Sequence, residues 1–213
     1  RINLNKIYYI NNGIDLESFD KNKSEYQISD EDLENEEIIK VVYVGSIRHA
    51  NNVGVLLDIA KEVDSSIKFL IWGDGDEADY LKGRVLKEHI KNVVFKGKVK
   101  KKYIPYIVTK ADVNMMDLSV INDILRFGIS PNKLFDYFAA KKPFVMYQQC
   151  GYNPAIEYNV GMIAEDYSEI IRYLNGFNYL KMEQEDDLKY ERARQAFSYE
   201  RLTNELINII EST

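Results

Sequence analysis

The sequence predicts an α/β domain built as a doubly wound parallel sheet, with residues 1–213 forming one unit. Three observations carry that expectation. Short runs of β-branched and aromatic residues recur along the chain, at 40–44, 67–72 and 144–147 among others. Each is followed by turn residues and then by apolar positions at helical spacing. The connections are short, and strands alternating with helices fold into a parallel sheet covered on both faces. Right-handed crossovers then place a ligand at the carboxyl ends of the strands.

Taken in order, residues 6–10 read as a strand that ends at the turn Asn11-Asn12-Gly13. Residues 20–37 are polar and acidic, with too little apolar content for a core element, and are expected to form a surface excursion or short helix. A buried strand at 40–44 is closed by Gly45, and 53–63 has helical periodicity. The strand at 67–72 leads through Gly73-Asp74-Gly75 into a helix at 77–88. A short strand at 92–95, a short helix at 103–110 and a strand at 111–116 follow.

The next segment, residues 128–143, reads Gly-Ile-Ser-Pro-Asn-Lys-Leu-Phe-Asp-Tyr-Phe-Ala-Ala-Lys-Lys-Pro. Ser130 is a natural N-cap, and Pro131 suits a first helical position, where a missing N–H costs nothing. Leu134, Phe135, Phe138 and Ala139 form one apolar face, while Lys133 and Asp136 share another. A helix start with orphan N–H groups and a lysine in its first turn is a ready site for a phosphorylated ligand. The plainer alternative is a surface pair between Lys133 and Asp136. Beyond it come a strand at 144–147, a turn and short helix near Pro154, and a strand at 161–164. Helices at 168–175 and from 183 to 211 finish the chain.

Composition narrows the class. Hydrophobic residues make up 46% and charged residues 29%, as in an ordinary globular protein. A net charge of −6 argues against a nucleic-acid partner or direct binding to an anionic membrane, since both are held by positive charge. The single cysteine, Cys150, leaves no internal disulfide framework and fits a cytoplasmic location. No apolar run approaches the ~20 residues that span a bilayer. The chain opens with Arg1 rather than Met, and is expected to be a fragment of a longer protein.

The block at 128–143 is similar to a helix of the group 4 retaining glycosyltransferases, especially the bacterial polysaccharide subgroup with the signature Ser-Pro-Asn-Lys-Leu-Phe-(Asp/Glu)-Tyr. That family usually carries two glutamates separated by seven residues; Asp136 falls at the second, and Gly128 stands at the first. Other segments match in order. Tyr9 to Phe19 resembles the family's Pro-Asn-Gly-Val-Asp entry, Tyr43-Val-Gly-Ser46 its first phosphate-side turn, and Trp72-Gly-Asp-Gly75 its Gly-(Asp/Glu)-Gly turn. Ala111-Asp-Val113 resembles the strand before the donor loop, and Phe197-Ser-Tyr-Glu200 the closing Phe-Ser-Trp-Glu helix. The resemblance implies the second, Rossmann-like half of a two-domain GT-B enzyme, whose acceptor-binding first domain lies outside this sequence. The 199–213 helix is then expected to face that domain.

Candidate site residues follow. Gly45 lets backbone approach a ligand, and Arg48 can grip a diphosphate with two N–H groups; the alternative is an ordinary turn with a surface arginine. Many relatives carry an arginine just after the glycine and a lysine several residues later, where this chain has Ser46, Asn51 and Asn52. The resemblance implies Arg48 and Lys133 as the diphosphate-holding, catalytic pair, with Gly45, Ser46, Ser130, Asn132 and Leu134 around the donor nucleotide. It implies main-chain groups of Lys98 and Val99 at the base, and Asp136 on the ribose hydroxyls. Gly128 would leave room at the sugar, with specificity coming from Arg126 and Ser130. The other lysines of the run Lys96, Lys98, Lys100, Lys101 and Lys102 are expected in water.

Asp74 and Asp76 imitate a metal motif, yet the matching turn in the family is not a metal site. His49 and His89 lack zinc-ligand spacing, and Cys150 has no base partner in view. The expected activity is donor binding in a retaining glycosyltransferase of bacterial surface polysaccharide synthesis. A nucleoside-diphosphate sugar would be its substrate, with no metal or other cofactor, and any membrane contact would come through the parent protein. A non-catalytic nucleotide-sugar-binding module and a GT-B-fold sugar-nucleotide epimerase remain as alternatives.

Overall fold

A computed structural model of the chain describes residues 7–118, 126–147, 150–177 and 187–212. Six strands form one parallel sheet: β1 (Ile39–Val44), β2 (Ile67–Trp72), β3 (Val93–Gly97), β4 (Val113–Asp117), β5 (Phe144–Tyr147) and β6 (Met162–Ala164). Their spatial order is β3-β2-β1-β4-β5-β6. The chain therefore builds outward from β1, returns to the middle at β4 and builds outward the other way. β1 and β4 flank the point of reversal, where open α/β sheets leave a crevice.

The period of two along each strand sorts the core into two layers. Val41 and Tyr43, Phe69 and Ile71, Val113 and Met115, and Val145 all enter one buried cluster. Val42 and Val44, Leu70 and Trp72, Met116, and Phe144 and Met146 enter the other. Helices α3 (Gly54–Ala60), α4 (Ala78–Lys87) and α8 (Tyr167–Asn175) cover the first face. The second is covered by α1 (Leu16–Glu25), α5 (Ile104–Lys110), α6 (Asn132–Ala140) and α9 (Asp187–Ala196). The doubly wound sheet expected from sequence is the fold observed.

Three segments depart from expectation. Residues 7–10 form no strand, and Ile7, Tyr8 and Tyr9 are exposed; Lys6 lies outside the described residues. The acidic stretch forms a short helix, one of its two expected forms, but it also reaches the core. Its short helix α2 (Glu31–Glu34) buries Leu33, and Asp30 and Asp32 accept from Lys96 at 2.7 Å while Asp32 also pairs with Lys68. Lys96, which also lies 6.0 Å from the Trp72 ring, is thus an internal clasp rather than a solvated lysine.

The helical region expected from 183 to 211 begins outside the described residues at 183–186 and is broken in two, giving α9 and α10 (Tyr199–Glu211). The break is long-range. Ile14 donates its amide to the Phe197 carbonyl and accepts from the Tyr199 amide, each at 2.9 Å, which pulls the chain out of helical geometry. Ser198 then caps α10 by accepting from the Arg201 amide. Between β5 and β6 lies α7 (Pro154–Glu157), capped by Asn153.

Candidate functional site

The carboxyl ends of β1, β2 and β3 open into a cleft of about 440 Å³ lined by Gly45, Ser46, Arg48, Gly73–Gly75, Lys98, Val99 and Ile104. Its floor is two turns pressed backbone to backbone. A Cβ on Gly73 would fall 1.8 Å from the Gly45 carbonyl oxygen, and one on Gly75 would fall 2.2 Å from that of Ile47. The turns are sewn together by Gly45 N–H donating to Trp72 O at 3.0 Å and Ile47 N–H donating to Asp74 O at 2.9 Å. Asp74 turns back to accept from the Gly75 amide at 2.8 Å. Among the described residues no three His, Cys, Asp or Glu side chains converge as metal donors do.

Lys133 reaches this floor from the first turn of α6. Its Nζ lies 3.2 Å from where a Gly45 Cβ would be, so glycine leaves the ammonium its place. It donates to the Tyr43 hydroxyl at 3.2 Å and to Asn51 Oδ1 at 3.1 Å, and sits 4.5 Å from the Tyr43 ring centroid. The Tyr43 hydroxyl in turn donates to the Ser46 carbonyl at 2.6 Å. Desolvation lowers the Lys133 pKa to about 8. The pair with Asp136 is not formed. Asp136 is half-buried, and burial pushes its carboxyl up to about 7, with the Lys101 charge opposing weakly.

Arg48 stands exposed on the cleft's rim, at the start of the turn His49–Asn51. Lys98 is exposed and Val99 half-buried on the opposite wall. The structure thus gathers Gly45, Ser46 and Arg48 from the loop after β1, Lys98 and Val99 from the loop after β3, and Lys133 from the first turn of α6.

Ser130, Asn132 and Leu134 are placed differently. The N-cap position of α6 is Pro131, with no side-chain cap, so Ser130 is not the cap and Pro131 is not the first helical residue. The Ser130 hydroxyl instead donates to Asn11 Oδ1 and accepts from the Asn12 amide at 3.3 Å, and Asn132 Oδ1 accepts from the Asn12 side-chain amide. Tyr199 donates to Asn12 Oδ1 at 3.1 Å. These polar groups outcompete a local cap and fasten the start of α6 to the chain's first turn. Leu134 is fully buried in the core, and its amide bonds the Pro131 carbonyl at 3.0 Å.

Gly128 is packed tightly against a distant residue. The backbone there has φ of 115°, and a Cβ would meet Tyr152 Cβ and the Tyr152 carbonyl oxygen at 2.7 Å. Room for a side chain does not exist at this position, because Tyr152 fills it. Arg126 is exposed and stacks 4.7 Å from the Phe127 ring.

Tyr43 and Asn51 are the hydrogen-bond partners of Lys133 that sequence reasoning missed. Tyr43 entered only as a strand residue opening the Tyr43-Val-Gly-Ser46 phosphate-side turn, and Asn51 only as a residue standing where relatives have lysine.

The family profile described as Glycosyl transferases group 1 matches residues 25–196. A search of curated protein sequences finds no match. Among solved structures, HepE of Anabaena in complex with UDP and glucose superposes with a TM-score of 0.69 at 16% identity, over 96% of this chain and 56% of that one. The apo form of the lipopolysaccharide outer core galactosyltransferase WaaB gives a TM-score of 0.70 at 15% identity, over 99% of this chain and 57% of that one. Apo OtsA gives 0.70 at 11%, over 92% and 49%. The chain spans about half the length of these proteins, and at such identities the likeness speaks to fold.

Proposed function

The chain belongs to the group 1 glycosyl transferases, and from that membership we propose that it is the donor-nucleotide-binding half of a retaining enzyme acting in bacterial surface polysaccharide synthesis. The observation that carries the site is Lys133: an ammonium held by a phenol and an amide, without a carboxylate, where a glycine turn meets a helix start. A cation so placed suits a phosphate group. The orphan N–H groups at the start of α6 add a partial positive charge directed at the same point. HepE, solved with UDP and with UDP-glucose, supports a nucleoside-diphosphate sugar as that ligand.

In this reading Lys133 and Arg48 grip the diphosphate, Arg48 closing from the rim with its planar fork. Main-chain groups of Lys98 and Val99 meet the base, and Asp136 accepts from the ribose hydroxyls. Catalysis consists of stabilising the departing nucleoside diphosphate while an acceptor hydroxyl attacks from the same face of the sugar. Desolvation makes each charge count for more than it would in water. An acceptor-binding domain outside this sequence completes the enzyme, and the exposed apolar side chains Leu206, Ile207 and Ile210 of α10 provide a face for it. No helix among the described residues is long and apolar enough to cross a membrane. The lone cysteine and a nucleoside-diphosphate-sugar donor fit a cytoplasmic site of action.

Thermal-shift measurements with UDP, GDP, CDP and ADP test the site. A ligand at ~100 times its dissociation constant stabilises by about 2.7 kcal/mol. Absence of a shift with all four would refute the donor-site reading.

A further inference from the structure

The loop that joins β1 to α3 is fastened at both ends. Near its start, the Tyr43 hydroxyl holds the Ser46 carbonyl and receives Lys133. At its far end, Asn51 Oδ1 receives the same ammonium. The next residue, Asn52, adopts the left-handed conformation (φ 41°, ψ 41°), and its amide donates back to the His49 carbonyl at 3.0 Å. Asn52 Nδ2 donates to the Tyr167 hydroxyl at 3.4 Å, and that hydroxyl donates to Asp117 Oδ2 at 3.1 Å. Asp117 is fully buried at the carboxyl end of β4, across the point of reversal from β1. The Tyr167 ring is held 4.5 Å from that of Tyr147, at the end of β5.

This chain of contacts has one direction. A carboxylate only accepts, so Asp117 fixes the Tyr167 proton toward itself and turns the phenol's lone pairs toward Asn52. Asn52 must then present its NH₂ to Tyr167, which sets the end of the turn and the aim of its neighbour Asn51. The link crosses the sheet's central crevice, from α8 and β4 to the loop and on to α6. None of Asp117, Tyr167 and Asn52 lines the cleft.

We propose that Tyr167 and Asp117 are positioning residues, which hold Asn51 and through it Lys133 in the pose that receives the donor's diphosphate. This rests on the donor-site reading given above. It assigns a role in phosphate binding to the start of α8, an element outside the nucleotide cleft.

The test is Tyr167→Phe, which deletes the hydroxyl and keeps the ring stack, alone and combined with Lys133→Ala. UDP and uridine are titrated calorimetrically into each folded protein, with thermal unfolding as a check on stability. Loss of the hydroxyl removes its hydrogen bonds to Asn52 and to the Asp117 carboxylate, lowers UDP affinity about three- to tenfold and leaves uridine affinity unchanged. In the Lys133→Ala background the same change has no further effect, because the group being positioned is gone. Additive losses, equal losses for UDP and uridine, or no loss would overturn the relay. Failure of the unaltered protein to bind any of UDP, GDP, CDP and ADP overturns the donor-site reading alone. The relay is then decided without ligand, by the NMR signal of the Lys133 ε-carbon, assigned by its disappearance in Lys133→Ala. A changed shift and titration in Tyr167→Phe supports it, and an unchanged signal overturns it.

Discussion

Gly73 lies so close to Gly45 that a Cβ on it would stand 1.8 Å from the Gly45 carbonyl oxygen. The contact joins the turns after β1 and β2 and forms the floor of the cleft. Gly73→Ala must therefore push the two turns apart, and its backbone, at φ of 149°, adds strain. We expect a stability loss of about 2–4 kcal/mol together with lost nucleotide binding. Gly83 is the control. It is exposed within α4 with nothing within 4 Å of its Cβ position, so Gly83→Ala should stabilise by about 0.5–1 kcal/mol. Urea unfolding of both variants checks the opposite signs.

Lys133→Ala should weaken nucleoside-diphosphate binding far more than nucleoside binding. A charge-assisted contact of this kind contributes ~1.5–3 kcal/mol, or roughly tenfold and more in affinity. Titration calorimetry with UDP and uridine separates the two, and equal losses would make Lys133 structural.

Asp136 carries a pH signature. Its folded pKa is raised from 3.8 to about 7, so between those values the folded chain binds more protons than the unfolded chain. Its contribution to stability therefore falls as pH rises through that window. Lys133 acts in the opposite sense across a higher range, because its folded pKa is lowered from 10.5 to about 8 and its contribution recovers as pH rises between them. Asp136→Asn should stabilise the unliganded protein at pH 8 by about 1–2 kcal/mol, after allowance for solvent screening, with almost no effect at pH 4. The same change should weaken uridine binding. Guanidinium titrations at the two pH values measure the first effect, and an equal gain at both would exclude a carboxylate cost.

Gly128→Glu tests whether the family's first acid can simply be restored. Tyr152 occupies the space, and φ of 115° disfavours any side chain, so a loss of about 2–4 kcal/mol is expected. A variant as stable as the parent protein would show that the segment can move away from Tyr152.

On α10, Leu202 is buried while Leu206 and Ile207 are each 44% exposed and Ile210 is 66% exposed. Leu202→Ala should cost about 2–3 kcal/mol. Leu206→Ser combined with Ile210→Ser should change stability by less than about 0.5 kcal/mol. Thermal unfolding distinguishes them, and a large loss from the double change would mean that the face is already covered.

The sequence by itself determined the doubly wound sheet and most of its strands, because a buried parallel strand is written locally as a β-branched run closed by glycine. Residues 67–72, closed by Gly73, show this directly, and the bounds read from sequence for 67–72 and 144–147 are those of β2 and β5. It also brought Gly45, Arg48 and Lys133 forward as candidates, since turns and helix starts have their own residue chemistry. Tertiary structure decided the rest. Whether Ser130 caps a helix depended on Asn11 and Asn12, more than a hundred residues away. What excludes a side chain at Gly128 is Tyr152, and where the last helix begins depended on a bridge from Ile14 to Ser198. Lys133 found Tyr43 and Asn51 rather than Asp136 three residues on. Each outcome is a competition between a local partner and a distant one, and only folding determines which distant groups come within hydrogen-bonding reach.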